Sequence, residues 1–276
     1  MVSGVANGRL VDLAYNLMNG RNSKTPLVFL HGLFGSQSNF YSIAKSLVQR
    51  TGRTVVTVDS RNHGNSGHSP VMTYEAMSLD LRNMLDKLNF PECILIGHSM
   101  GGKIAMTTAL QRPGLVKKLV VVDISPNRTD SHNPVLYYIA AMKAVTVEGS
   151  DLSRSTARNQ VEQQLQLYIK NARTRSFILS NLVECNGRYV WRINLEAIKN
   201  NIDYLLGFPE FNTSFSAPTV FLGGANSLYI GSKDYPEIKR LFPNSIIQHI
   251  PEAGHWVHAE KPRDFINAIC AFLETR

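Results

Sequence analysis

One stretch constrains this chain more than any other: Ile96-Gly97-His98-Ser99-Met100-Gly101-Gly102. It follows the apolar run Cys93-Ile94-Leu95-Ile96 and opens the helix-prone segment from Lys103 to Leu110. The pattern therefore reads strand, tight turn, helix, with a serine at the apex. Gly97, Gly101 and Gly102 meet a steric need, because a serine held in a strained backbone conformation requires neighbours without Cβ atoms if strand and helix are to close around it. A bare Gly-x-Ser-x-Gly match also occurs in other glycine-rich turns, phosphate loops among them. Here a strand precedes, a helix follows, and no Lys-Ser/Thr pair closes a phosphate loop. The stretch reads as a nucleophile elbow.

An elbow needs a sheet around it, and the rest of the chain supplies one. Continuous apolar runs at Pro26 to Leu30, Arg53 to Asp59, Lys118 to Asp123, Pro218 to Gly224 and Ser245 to Ile250 read as strands, most of them buried on both faces. Helical periodicity lies between them at Ser38 to Arg50, Tyr74 to Leu88 and Tyr235 to Leu241, and closes the chain at Pro262 to Leu273. Repeated alternation of strand and helix implies parallel strands with right-handed crossovers. Near the start, Arg9 to Leu17 alternates as an edge hairpin strand would, with Asn19-Gly20 as a turn signal. From Pro126 to Ser216 the rhythm breaks into helical patterns that are polar and basic, without a buried-strand run. The expected fold is α/β: a mostly parallel twisted sheet flanked by helices, built from residues 1–125 and 217–276, with a helical cap inserted at 126–216.

Composition narrows the function classes. The 276 residues suffice for one large α/β domain with an insertion, and 43% hydrophobic against 18% charged content excludes a disordered or fibrous chain. The net charge of +8 would suit an anionic surface, but the basic residues are spread out and form no nucleic-acid motif. No nucleic-acid partner is expected. Three cysteines, two of them in apolar elements at Cys93 and Cys270, make no disulfide framework and point to a reducing compartment. No apolar run reaches the roughly 18 residues that would suggest a membrane span. Met1 to Gly8 has neither the apolar core of a signal peptide nor an Arg-rich amphipathic helix, so any targeting segment is expected to lie outside this sequence.

A serine hydroxyl is a weak nucleophile at neutral pH, so a histidine must take its proton and a carboxylate must orient that histidine. His255, in Pro251-Glu252-Ala253-Gly254-His255-Trp256 after the last strand, stands where the base is expected. His63, in the loop Ser60 to Gly67, could be mistaken for the base but is expected to be a hydrogen-bonding surface residue. The acid is less direct, because the loop Gly223-Gly224-Ala225-Asn226-Ser227-Leu228 carries no carboxylate. Asp123 ends the strand beside the elbow strand, so it should emerge at the same sheet edge as Ser99 and is the assigned acid. Glu196 in the cap and Asp234 at a helix start remain alternatives, each with a blander reading as a solvated face or a helix cap. The backbone N–H groups of Leu33 and Met100 are the candidate oxyanion donors. Such chemistry requires no metal or redox cofactor, and no zinc-ligand spacing is present.

Taken together, His31-Gly32-Leu33-Phe34-Gly35-Ser36, Asp59-Ser60-Arg61-Asn62-His63-Gly64, Gly97 to Lys103, Val122-Asp123-Ile124-Ser125-Pro126 and Ala253-Gly254-His255-Trp256 resemble the α/β-hydrolase superfamily, including its small bacterial esterases. The resemblance implies a serine esterase or lipase acting on acylglycerols or other small acyl esters, with a cap that covers the nucleophile. It also implies the mitochondrial matrix as the location in animals. Peripheral contact with a membrane and acyl transfer to an alcohol acceptor are compatible with the same site, as is a silent ligand-binding homologue.

Overall fold

Among the described residues nine strands form in chain order: β1 (Tyr15–Met18), β2 (Leu27–Leu30), β3 (Val55–Val58), β4 (Cys93–His98), β5 (Val116–Val122), β6 (Leu182–Cys185), β7 (Arg188–Trp191), β8 (Thr219–Gly224) and β9 (Ser245–Ile250). Seven of them make one sheet in the spatial order β1-β3-β2-β4-β5-β8-β9. Every pairing in it is parallel except that of β1 with β3. The computed structural model describes residues 9–129, 134–149 and 152–275.

Side-chain alternation along the central strands builds two cores, one on each face. Val28, Leu30, Cys93 and Leu95 pack on one side, while Leu27, Phe29, Ile94 and Ile96 pack on the other. The first core is covered by α2 (Tyr74–Lys87) and α3 (Met100–Gln111), the second by α1 (Tyr41–Thr51) and α11 (Pro262–Glu274). Burial on both faces is why these strands read as unbroken apolar runs. Helix α9 (Tyr235–Leu241) joins β8 to β9, and the short α10 (Val257–Glu260) precedes α11.

Between β5 and β8 the chain forms α4 (Val135–Ala144), α5 (Arg154–Tyr168), α6 (Ala172–Leu179), the β6–β7 hairpin, α7 (Leu195–Asn200) and α8 (Ile202–Leu206). This insertion is tied down by buried polar contacts. Tyr74 Oη donates to the Leu205 carbonyl at 2.6 Å, Asn201 Nδ2 donates to the Pro70 carbonyl at 2.7 Å, and the Asn194 N–H donates to the Asn62 carbonyl at 3.0 Å.

Two elements differ from the sequence reading. The N-terminal strand is shorter than expected and does not turn back through Asn19-Gly20 onto β2; it pairs antiparallel with β3 at the sheet edge. The insertion also contains the β6–β7 hairpin, whose turn residues Asn186 and Gly187 both have positive φ, 50° and 75°. Its strands are half exposed, so they lack the apolar run that marks a core strand.

Candidate active site

Ser99 stands at the junction of β4 and α3 with φ 52° and ψ −118°, a conformation that costs on the order of 1–3 kcal/mol for a residue with a side chain. Strand and helix approach so closely that an added Cβ at Gly97 would lie 2.1 Å from the Gly101 carbonyl oxygen. At Gly101 it would lie 2.3 Å from the Leu30 carbonyl oxygen. The Ser99 N–H donates to the Val122 carbonyl at 3.0 Å, which fixes the apex against β5.

The histidine and the aspartate meet at the same carboxyl edge. His255 Nδ1 lies 2.6 Å from Asp123 Oδ2, and Asp123 is fully buried just beyond β5 with φ 51°. The Gly224 N–H donates to Asp123 Oδ1 at 3.0 Å, and Ser227 Oγ donates to Oδ2 at 2.5 Å. The loop after β8, which lacks a carboxylate of its own, thus sends its donors to the carboxylate of the neighbouring strand. A buried carboxylate needs such partners to offset its lost hydration. With Nδ1–H committed to Asp123, Nε2 is the nitrogen left to accept a proton. Tyr229 stacks on the imidazole, ring centroids 3.9 Å apart at 21°, and His98 Nε2–H donates to the His255 carbonyl at 2.8 Å. Burial, with like-charge neighbours, pushes His98 well below the usual imidazole range and His258 down to about 3. The rings packed beside His255 are therefore neutral at physiological pH.

The loop after β2 lies across from the elbow. An added Cβ on Gly32 would come within 3.3 Å of Ser99 Cβ, so the Gly32-Leu33 peptide passes directly beside the serine. The Gly32 carbonyl accepts from the Gly35 N–H at 2.9 Å and from His31 Nδ1–H at 2.8 Å. In a trans peptide this turns the Leu33 N–H to the opposite side. Among the described residues neither the Leu33 nor the Met100 N–H has a hydrogen-bond acceptor.

Other sequence candidates lie elsewhere. Glu196 is on the surface of α7, ion-paired with Lys143. Asp234 is buried, accepts from Ser125 Oγ at 3.0 Å, Asn127 Nδ2 at 2.8 Å and the Gly231 N–H at 2.9 Å, and does not touch His255. His63 is not the surface residue the sequence reading expected. It is fully buried, its Nδ1–H donates to the Arg61 carbonyl at 3.0 Å and its Nε2 accepts from the Phe34 N–H at 3.1 Å. The loop closes back on itself and on the insertion, and that removes His63 from solvent. Tyr229, Ser227 and His98 were missed by sequence reasoning; only His98, inside the elbow motif, carried any signal.

Ser99 and His255 line one cavity of about 270 Å³. Its wall is mainly apolar, with Phe34, Tyr138, Phe177, Ile178, Leu205 and Trp256 around the reacting groups. Among the described residues no group of three or more His, Cys, Asp or Glu is arranged to hold a metal ion, and no helix is long and apolar enough to cross a membrane.

The family model for the alpha/beta hydrolase fold matches residues 25–262. An sn-1-specific diacylglycerol lipase ABHD11 of Danio rerio is 59% identical over 264 residues, covering 96% of this chain and 83% of the relative. The esterase YbfF of Escherichia coli is 31% identical over 255 residues, covering 92% of this chain and 94% of the relative. A solved marine microorganism esterase superposes with a TM-score of 0.88 at 38% identity, covering 95% of this chain and 99% of that one.

Proposed function

The chain belongs to the α/β-hydrolase fold family and is a carboxylic ester hydrolase, and from that premise we propose that it cleaves acylglycerols, diacylglycerol foremost, through an acyl intermediate on Ser99. The observation that carries the reading is the 2.6 Å bond between His255 Nδ1 and buried Asp123, on the cavity that also exposes the elbow serine.

In this reading His255 Nε2 takes the hydroxyl proton as Ser99 Oγ attacks the ester carbonyl carbon. The oxyanion of the tetrahedral intermediate accepts from the Leu33 and Met100 N–H groups. Collapse breaks the bond to the alcohol, which leaves with the proton held by His255. Water then repeats the sequence against the acyl-serine, releasing the fatty acid and restoring Ser99. Asp123 keeps the imidazole in the required tautomer and stabilises the imidazolium. No step calls for a metal or a redox cofactor.

Exposed apolar residues of the insertion support peripheral contact with a lipid surface. Leu136 and Tyr137 of α4 and Leu167 and Tyr168 of α5 are all exposed, with Tyr137 Oη bonded to the Tyr168 carbonyl at 2.7 Å. A mitochondrial matrix location belongs to the same proposal, and fractionation of expressing cells tests it.

The enzymatic test is a panel of short-chain esters, mono- and diacylglycerols and amides. Diacylglycerol is expected to be cleaved at a rate that falls to background in Ser99→Ala and His255→Ala, with wild-type labelling of Ser99 by a fluorophosphonate. A preference for amides, or undiminished hydrolysis by Ser99→Ala, would reject the proposal. Adding a competing alcohol and following transesterified product separates hydrolysis from acyl transfer.

A further inference from the structure

The loop that carries the Leu33 N–H is held from two different parts of the molecule. Phe34 has φ 62°, a left-handed conformation rare for an aromatic residue, so it persists only where surrounding contacts impose it. On the core side the Phe34 N–H donates to His63 Nε2 at 3.1 Å. His63 is itself set by the Arg61 carbonyl, and Arg61 is anchored by a fully buried two-pronged pair with Asp80, at 2.6 and 2.8 Å. On the other side the Phe34 carbonyl accepts from Asn181 Nδ2 at 2.8 Å.

Asn181 brings the hydrogen bond of this clamp that comes from the insertion. It follows α6, immediately precedes β6, and is fully buried. Its main chain is pinned by the Ile178 carbonyl at 3.0 Å and by the Arg192 N–H at 2.9 Å across the hairpin. The amide therefore reaches the loop from a fixed base, and its position reports whether the insertion is seated.

We infer that Asn181 is a positioning residue for the oxyanion hole, holding the strained Phe34 peptide so that the Leu33 N–H stays aimed at the oxyanion only while the insertion is docked on the core. Without the Asn181 donor, the insertion meets Phe34 through the edge of the Tyr138 ring, which packs on the side chain and leaves the Phe34 carbonyl free to turn out of its left-handed setting. The Leu33 N–H then rotates away from the serine. Seating of the cap and completion of the catalytic site become one event, which would couple substrate enclosure to competence for chemistry. The inference rests on the assignment of Ser99 as nucleophile and of the Leu33 N–H as a donor.

The test uses Asn181→Asp, which keeps the size and removes the donor, and Asn181→Ser, whose hydroxyl is too short to reach Phe34. Loss of one oxyanion donor costs about 10²–10³ in turnover, and a displaced donor somewhat less. The expected result is a fall in kcat of about 10- to 100-fold on a short-chain ester with KM little changed, Asn181→Asp being the less stable of the two because its carboxylate is buried against a carbonyl. Affinity for a trifluoromethyl ketone, which forms an oxyanion-bearing adduct on the serine, should fall by the same factor, while that for the product fatty acid stays constant. A purely structural role would not produce that pairing. In a His63→Gln/Asn181→Asp double variant the two losses should combine to less than their product, since the two contacts hold the peptides on either side of Phe34 and so fix one residue's backbone. Either folded Asn181 variant with wild-type kcat and wild-type ketone affinity overturns the inference. Failure of the wild-type enzyme to label at Ser99 overturns instead the assignment on which it stands.

Discussion

Asp123 illustrates what a single residue must satisfy at this site. It is fully buried, adopts φ 51°, and accepts from His255, Ser227 and Gly224 at once. Replacement by asparagine puts an NH2 group where only acceptors fit, leaving either the Gly224 N–H or the imidazole without its partner and favouring the wrong tautomer. An equivalent change in a serine protease triad lowers turnover about 10⁴-fold. Asp123→Asn is accordingly expected to lose several orders of magnitude in kcat with thermal stability nearly retained, whereas Glu196→Gln, which pairs with Lys143 on the surface, should stay within about twofold of wild type. Steady-state kinetics on one ester decides the order, and a larger loss in Glu196→Gln would move the acid into the cap. Ser99 and His255 could be read from sequence because glycine spacing and chain order mark them, and Asp123 because strand adjacency places it at the right edge. The donors that hold Asp123 were not legible. One is a backbone N–H and the other a loop serine, and neither residue type signals a contact with a residue about a hundred positions earlier.

At the scale of elements, the strands buried on both faces were legible because their sequences can do nothing else, and the elbow helix because its glycines admit only close packing. The edges and the insertion were less so. Strand β1 is exposed at Tyr15 and Asn16 and only partly buried at Leu17 and Met18, and β6 and β7 are half exposed, so their alternation is weak and register is set by partners the sequence does not name. Lys103 shows the same limit in a helix. It occupies α3 four residues after the nucleophile, where a lysine would be expected to face solvent. Instead it is 1% exposed, and its Nζ donates to the carbonyls of Leu206 at 2.8 Å, Gly207 at 2.7 Å and Asn127 at 3.0 Å. The ammonium thus caps the C-terminal end of α8, where unpaired carbonyls and the helix dipole favour a cation, and it fastens the insertion to the elbow helix. Lys103→Met keeps most of the apolar stem but strands these carbonyls away from water, at about 1–3 kcal/mol for each group left unmet. The expected outcome is a lower Tm, together with faster amide hydrogen exchange in residues 195–207 than in β4 or β5. Uniform exchange across the chain would show that Lys103 does not act as a fastener between the two parts.

Over the whole molecule, the residues that shape the site also set its response to acid. Four histidines, His31, His63, His98 and His258, are buried, and burial is in each case the leading cause that lowers the imidazole below its ordinary value; His63, like His258, falls to about 3. Each serves the site in its neutral form or packs beside it: His31 orients the Gly32 carbonyl, His63 holds Phe34, His98 holds the His255 carbonyl, and His258 packs against His98. In the unfolded chain these groups bind protons near pH 6.5, whereas in the folded chain they bind them only at lower pH. The unfolded state therefore binds more protons throughout the interval below 6.5. Stability is fully present above that pH and falls as the solution is acidified, with a limiting slope of about 1.4 kcal/mol per pH unit for each histidine. By pH 5.5 His63 and His258, which fall to about 3, should each have cost about 1 kcal/mol, a substantial part of the 5–15 kcal/mol typical of a folded domain. Carboxylates titrate mainly below pH 5, so the window from 7 to 5.5 isolates the imidazoles. Urea unfolding across that window should show the midpoint falling steeply with acid, and His258→Gln should lessen the slope by about one proton's worth. A midpoint that stays level from pH 7 to 5.5 would mean that the four imidazoles take up protons in the folded state as readily as in the unfolded one, and would overturn the effect of their burial.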